Sequence, residues 1–152
     1  MGDLTTHFSL SEFVVSQTAE RLGIDNTPPE IVVERLTTLC ETILEPARAA
    51  LGPIRISSGY RCDALNKRIG GSSTSAHVLG YAADVVPLEA SKKALAQWVH
   101  ANVGFDQIIL EFGVKSMDGE PAWIHLSADP RKRHQVLRIF DGSHGYRLIE
   151  IG

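Results

Sequence analysis

Ser75-Ala76-His77-Val78-Leu79-Gly80-Tyr81-Ala82-Ala83-Asp84 sets an imidazole and a carboxylate seven residues apart, with a glycine between them. The two side chains can meet at one metal ion if the backbone turns at Gly80 and then runs extended through Ala82 to Asp84. Glycine permits the turn because it lacks a Cβ. Ala82 and Ala83 leave room around the pair. The stretch reads as a loop, a turn and a strand over Tyr81 to Val86, with Asp84 pointing to one side. A third ligand has to come from elsewhere. His125, in Ala122-Trp123-Ile124-His125-Leu126-Ser127, is the best candidate, on a strand whose alternation puts Trp123, His125 and Ser127 on one face. Two histidines and one carboxylate with an open position form a catalytic zinc arrangement.

Upstream of this stretch the pattern is helical. Ser9 and Glu12 form a capping box, and Phe8 and Phe13 are spaced as a hydrophobic staple. The spacing predicts a helix from there to about Leu22, stopped by Gly23. Thr27-Pro28-Pro29-Glu30 reads as a second capping box with proline at the first helical position. Val32, Leu36, Leu39, Cys40, Ile43, Leu44, Ala47 and Leu51 then share one face. Pro46 should kink this helix or mark its last turn, and Gly52-Pro53 ends it. Ile54 to Ser57 alternates like a strand, Ser58-Gly59-Tyr60 turns the chain to present Arg61, and Asp63 to Ile69 suits a short helix before Gly70-Gly71.

Downstream, Leu88, Ala94, Leu95, Trp98 and Val99 mark an amphipathic helix from about Glu89 to Val103. Phe105 to Phe112 reads as a buried strand, paired in a hairpin with Trp123 to Ser127 across the turn Met117-Asp118-Gly119-Glu120-Pro121. Val136 to Phe140 and Tyr146 to Ile151 suggest a last hairpin around Asp141 to Gly145. Helices lead and strands dominate the second half. That order predicts an α+β domain, N-terminal helices on a mainly antiparallel sheet, spanning residues 1–152 as one unit.

Composition narrows the function. The apolar fraction of 43% is ordinary for a globular protein, and the net charge of −3 gives no reason to expect nucleic acid. The densest basic run, Arg131-Lys132-Arg133-His134, is short and reads as a solvated turn. No apolar run approaches the eighteen residues of a membrane span, and the N-terminus lacks the basic and apolar regions of a signal peptide. Cys40 and Cys62 lack metal or redox spacing. Cys40 falls on a core stripe, and a role near the site is the weaker reading for Cys62. His7, His100, His134 and His144 have no spaced partner and read as structural.

The SxHxxGxAxD pattern of residues 75–84, the WxH of Trp123 to His125 and the SGYR of Ser58 to Arg61 together resemble the zinc D-alanyl-D-alanine carboxypeptidase and L-alanyl-D-glutamate endopeptidase family. The resemblance runs from Phe8 to about Val136 and is strongest to compact phage-associated members. It implies a hedgehog/DD-peptidase fold and a Zn2+ ion on His77, Asp84 and His125. The implied activity is hydrolysis of peptidoglycan peptide stems; a monomer is expected, and the charge and hydropathy above give no reason to expect nucleic-acid or membrane partners. It would be made in the cytoplasm and reach the wall by holin release, as an endolysin does, or as part of a virion. The resemblance also implies roles for Arg61 on the scissile carbonyl's developing charge and for Ser75 in substrate contact. Tyr60 and Trp123 are candidate groove walls.

One position departs from the pattern. Several relatives carry the acid/base carboxylate three residues before the second histidine, and Ala122 stands there. Glu111 and Glu120 are the available substitutes. Glu111 is preferred, because a strand positions a catalytic group better than a turn does. If neither carboxylate reaches the metal, the chain is instead a non-catalytic zinc-containing binding or virion structural module on the same fold.

Overall fold

The computed structural model of the chain describes residues 3–114, 116, 119–140 and 147–149. The expected turn residues Met117 and Asp118, and the connection from Asp141 to Tyr146 with His144, lie outside them.

The N-terminal capping box forms as its sequence requires. Glu12 accepts the Ser9 backbone N–H at 2.7 Å, and α1 covers Leu10–Val14. Phe8 and Phe13 pack with ring centroids 6.4 Å apart. The helix does not continue to Leu22. It breaks at Val15 and Ser16, and Ser16 caps a second helix, α2 (Gln17–Leu22), which Gly23 ends in the left-handed region. The break has a use: the carbonyls of Phe13 and Val14 turn outward to accept the Tyr60 N–H and the Asn26 side chain.

The second capping box does not form. Helix α3 (Glu30–Leu39) has Pro29 at its cap without a side-chain bond, while the Thr27 hydroxyl donates to Asp25 at 2.6 Å. α3 runs through a π-helical turn, Cys40–Leu44, into α4 (Glu45–Leu51). Pro46 explains the wide turn. It has no N–H to give to the carbonyl four residues back, and its ring crowds that carbonyl, so the ladder widens just before it.

Among the described residues the sheet has six strands in the order β1-β2-β4-β3-β5-β6: β1 Ile54–Ser58, β2 Ala82–Pro87, β3 Gln107–Glu111, β4 Trp123–Ser127, β5 Gln135–Ile139 and β6 Arg147–Leu148. All neighbours are antiparallel except β3 and β5, which are parallel. The short helices α5 (Asp63–Arg68) and α6 (Ala76–Leu79) lie between β1 and β2, and α7 (Lys92–Asn102) lies between β2 and β3. α7 starts at its Ser91 cap, later than the expected Glu89.

Strand alternation gives the sheet two unlike faces. Ala83, Val85, Ile108, Leu110, Ile124 and Leu126 point to one side and join the side chains of α1, α3, α4 and α7 in the main core. Asp84, Ile109, Glu111, Trp123 and His125 point to the other side, which no long helix covers. Tyr60 packs in the main core and is 8% exposed. It therefore does not form the groove wall expected of it.

Candidate metal centre

Register brings the three candidate ligands together. Asp84 of β2 lies directly opposite His125 of β4, and Asp84 Oδ1 is 3.1 Å from His125 Nδ1. His77 comes from α6, a single turn capped by Ser75 and closed by Gly80 at φ 85°. A side chain at Gly80 would be strained there and would run into Val32, its Cβ 2.9 Å from Val32 Cγ1. His77 Nε2 thus reaches 3.2 Å from the same Asp84 oxygen. One donor atom from each residue lies within 4.8 Å of the others, the only such group found among the described residues. All three are buried.

The donor set suits a zinc ion. His77 Nδ1 is 2.7 Å from the Gly59 carbonyl. A carbonyl only accepts, so Nδ1 carries the proton and Nε2 offers its lone pair toward Asp84 and His125. Such a bond on the far nitrogen is the usual way a protein orients a ligating imidazole. Burial works to raise the Asp84 carboxyl, but positive charge and hydrogen bonding from His77 and His125 outweigh it and hold the group well below the ordinary carboxylate range, a charge that a bound cation would replace as it displaces their protons. Ionised carboxylate and lone-pair nitrogen are the forms that bind a cation.

The SGYR segment serves this centre through its backbone. A register shift between Ile56 and Ser58 bulges the end of β1 and redirects the chain, as bulges do beside sites. Gly59 passes so close to α1 that a Cβ there would lie 2.5 Å from the Phe13 carbonyl oxygen. Its carbonyl is thereby set for His77. Arg61 follows, with its N–H on the His77 carbonyl and Nη2 3.2 Å from Ser75 Oγ. Ser75 in turn accepts the His77 N–H. Asn26, which sequence reasoning passed over, brackets Arg61: its buried amide donates to the Tyr60 carbonyl at 3.0 Å and accepts the Cys62 N–H at 2.8 Å. Nothing in the local sequence marks it apart from a polar turn.

The centre opens into a cleft of about 570 Å³. Arg61, Ser75, Glu111 and Trp123 all line it with the three candidate ligands, and Tyr60 does not. Glu111 pairs with Trp123 across β3 and β4, and the indole N–H donates to Glu111 Oε2 at 2.7 Å. Burial, and after it the neighbouring Asp84 charge, push the Glu111 carboxyl up to about 7. Glu120 is elsewhere. Its carboxylate accepts the N–H groups of Lys92 and Lys93 at 3.3 and 3.2 Å, at the N-terminus of α7. The other histidines with described surroundings stand apart: His7 binds Glu45, and His100 and His134 cluster with Phe105.

A sheet face carrying a buried His-Asp-His set, with a carboxylate beside it in an open cleft, has the groups that metal-assisted hydrolysis uses. The family pattern described as Peptidase M15 matches residues 6–127. The chain belongs to the peptidase M15 family. No curated protein sequence matches it. The matched span covers every strand and loop that supplies the three candidate ligands. Family and site agree on a metallopeptidase of the α+β class, with helices on one face of a mixed sheet. No helix among the described residues is long and apolar enough to cross a membrane.

Proposed function

We propose that this M15 peptidase is a zinc enzyme that hydrolyses the peptide stems of bacterial peptidoglycan, of D-alanyl-D-alanine carboxypeptidase or L-alanyl-D-glutamate endopeptidase type, encoded by a phage or prophage. The observation that carries this reading is the placement of Glu111 in one cleft with His77, Asp84 and His125. It supplies the carboxylate that Ala122 withholds.

In this reading His77, Asp84 and His125 hold the zinc. When bound there, zinc lowers the pKa of a coordinated water to roughly 7 and polarises the scissile carbonyl. Glu111 takes the proton of the attacking water and returns it to the leaving amine. Its Oε2 accepts the Trp123 indole N–H, and the carboxyl also lies within hydrogen-bond reach of Asp84. Arg61, braced by Ser75, presents its guanidinium to the charge that develops on the carbonyl oxygen. Ser75 and Trp123 stand where a bound peptide would touch them.

The test is mass spectrometry of purified peptidoglycan digested by the protein, with and without a chelator. The expected result is new stem fragments that disappear with chelator and return with added zinc. Intact stems after incubation with zinc-loaded protein would instead favour the non-catalytic zinc module.

A further inference from the structure

Arg131-Lys132-Arg133-His134 is an exposed turn, as its composition suggests, but it stands at the cleft, which Arg131 and Arg133 both line. The loop is built to hold them. Asp106 is fully buried and accepts the Arg133 backbone N–H at 2.8 Å, Nε at 3.0 Å and Nη2 at 2.8 Å. Asp129, 5% exposed, accepts the Arg131 N–H and Nη2, each at 2.9 Å. The carboxylates are the buried partners. The Arg133 and Arg131 side chains keep 33% and 56% of their surface exposed. Each arginine is thus fixed from behind, and Arg133 Nη1 is not used in its pair. Lys132 and His134, on either side of Arg133, both sit at positive φ, 45° and 54°. Side chains rarely adopt that conformation, and where they do, a site is often near.

The position of the loop says what it faces. The cleft runs along β3 and β4. Glu111 and Trp123 stand at one end, Ile109 opposite His125 in the middle, and Gln107 at the end next to Arg133. At about 3.3 Å per residue, Gln107 lies roughly 7 Å along the strand from the level of His125. That is the span of one or two residues of an extended peptide.

We propose that Arg131 and Arg133 form a carboxylate-recognition site that determines which peptides the cleft accepts. The ligand class is a peptide carrying a free carboxylate within about two residues of the bond placed at His77, Asp84 and His125. A guanidinium held on one edge still offers donors on another, in the planar geometry a carboxylate accepts. Fixing the arginines beforehand removes most of the ordering cost of the contact. This rests on the peptidase reading for the class of ligand, but its test reads binding and not cleavage.

The probe is a synthetic stem peptide, L-Ala-γ-D-Glu-L-Lys-D-Ala-D-Ala, beside the same peptide with its carboxylates converted to amides. Equilibrium binding is measured to zinc-loaded Glu111→Gln protein, with and without the further change Arg131→Gln/Arg133→Gln. The expected result is at least tenfold tighter binding of the carboxylate form, with that preference lost in the arginine variant and zinc content unchanged. Arg133→Gln leaves buried Asp106 without its partner. Arg131→Gln alone and Asp106→Asn/Arg133→Gln therefore carry the same test if the first variant fails to fold. A preference that persists without the arginines overturns the proposal. So does equal binding, or equal failure to bind, of the two peptides by the parent protein. Absence of cleavage by the wild-type chain with the preference intact would overturn the peptidase reading alone.

Discussion

Two glutamates that look interchangeable in the sequence have different surroundings in the fold. Glu111 ends β3 in one cleft with His77, Asp84 and His125, and Glu120 accepts two N–H groups at the start of α7. Glu120→Gln should leave turnover near wild type. It should lower stability by about 0.5–1 kcal/mol, read by denaturant unfolding, because a neutral amide no longer complements the helix N-terminus. A dead but stable Glu120→Gln protein would reverse the assignment of the base. Arg61 carries a separate expectation. Its guanidinium is braced by Ser75 and set by the backbone around His77. Arg61→Ala should lower turnover by on the order of a hundredfold while zinc stays bound, the loss expected for one oxyanion donor. An unchanged rate would leave Arg61 a purely structural role.

At the scale of elements, the decisive contacts join pieces far apart in sequence. The Asp106 clamp ties the loop before β5 to the start of β3, and Ser127 of β4 accepts the Gln107 N–H at 3.0 Å beside it. Burial works to raise the Asp106 carboxyl, but Arg133 outweighs it and holds the group below its ordinary value of 3.8. The sign follows. A carboxyl depressed in the folded state adds stability above its unfolded value, about 3.9. That stability is lost as pH falls through the lower folded value. Asp106→Asn should therefore cost on the order of 2 kcal/mol at neutral pH, as for a charge-assisted bond. The difference from wild type should hold down to about pH 5 and shrink below pH 4. Denaturant midpoints measured across that range check it, and a difference that stays constant down to pH 2 would show that the clamp contributes no such term.

The molecule as a whole was partly legible in its sequence. The capping box at Ser9, the stop at Gly23, the long apolar stripe ending at Gly52 and the hairpin of β3 with β4 are local signals, and each appears where those signals stand. The break at Val15 was not legible, because its cause is the docking of residues near position 60. The parallel pairing of β3 with β5 was not legible either, since no local residue pattern states a strand's distant neighbour. The His77, Asp84 and His125 cluster could be read from spacing and strand alternation. Glu111 could be placed only by assuming which strands pair. Asn26, Arg131 and Arg133 gave no such signal, because loops far from the ligands in sequence bring them to the cleft.

The central claim is that a zinc held by His77, Asp84 and His125 works with Glu111 as its proton acceptor. The most direct measurement is peptidoglycan hydrolysis by zinc-loaded Glu111→Gln beside wild type, with bound zinc measured in the same samples. The amide keeps the shape and the Trp123 contact but cannot accept the proton. The expected result is equal zinc and an unchanged fold, with a rate lower by roughly 10²–10⁴. Equal rates at equal zinc content would contradict the account.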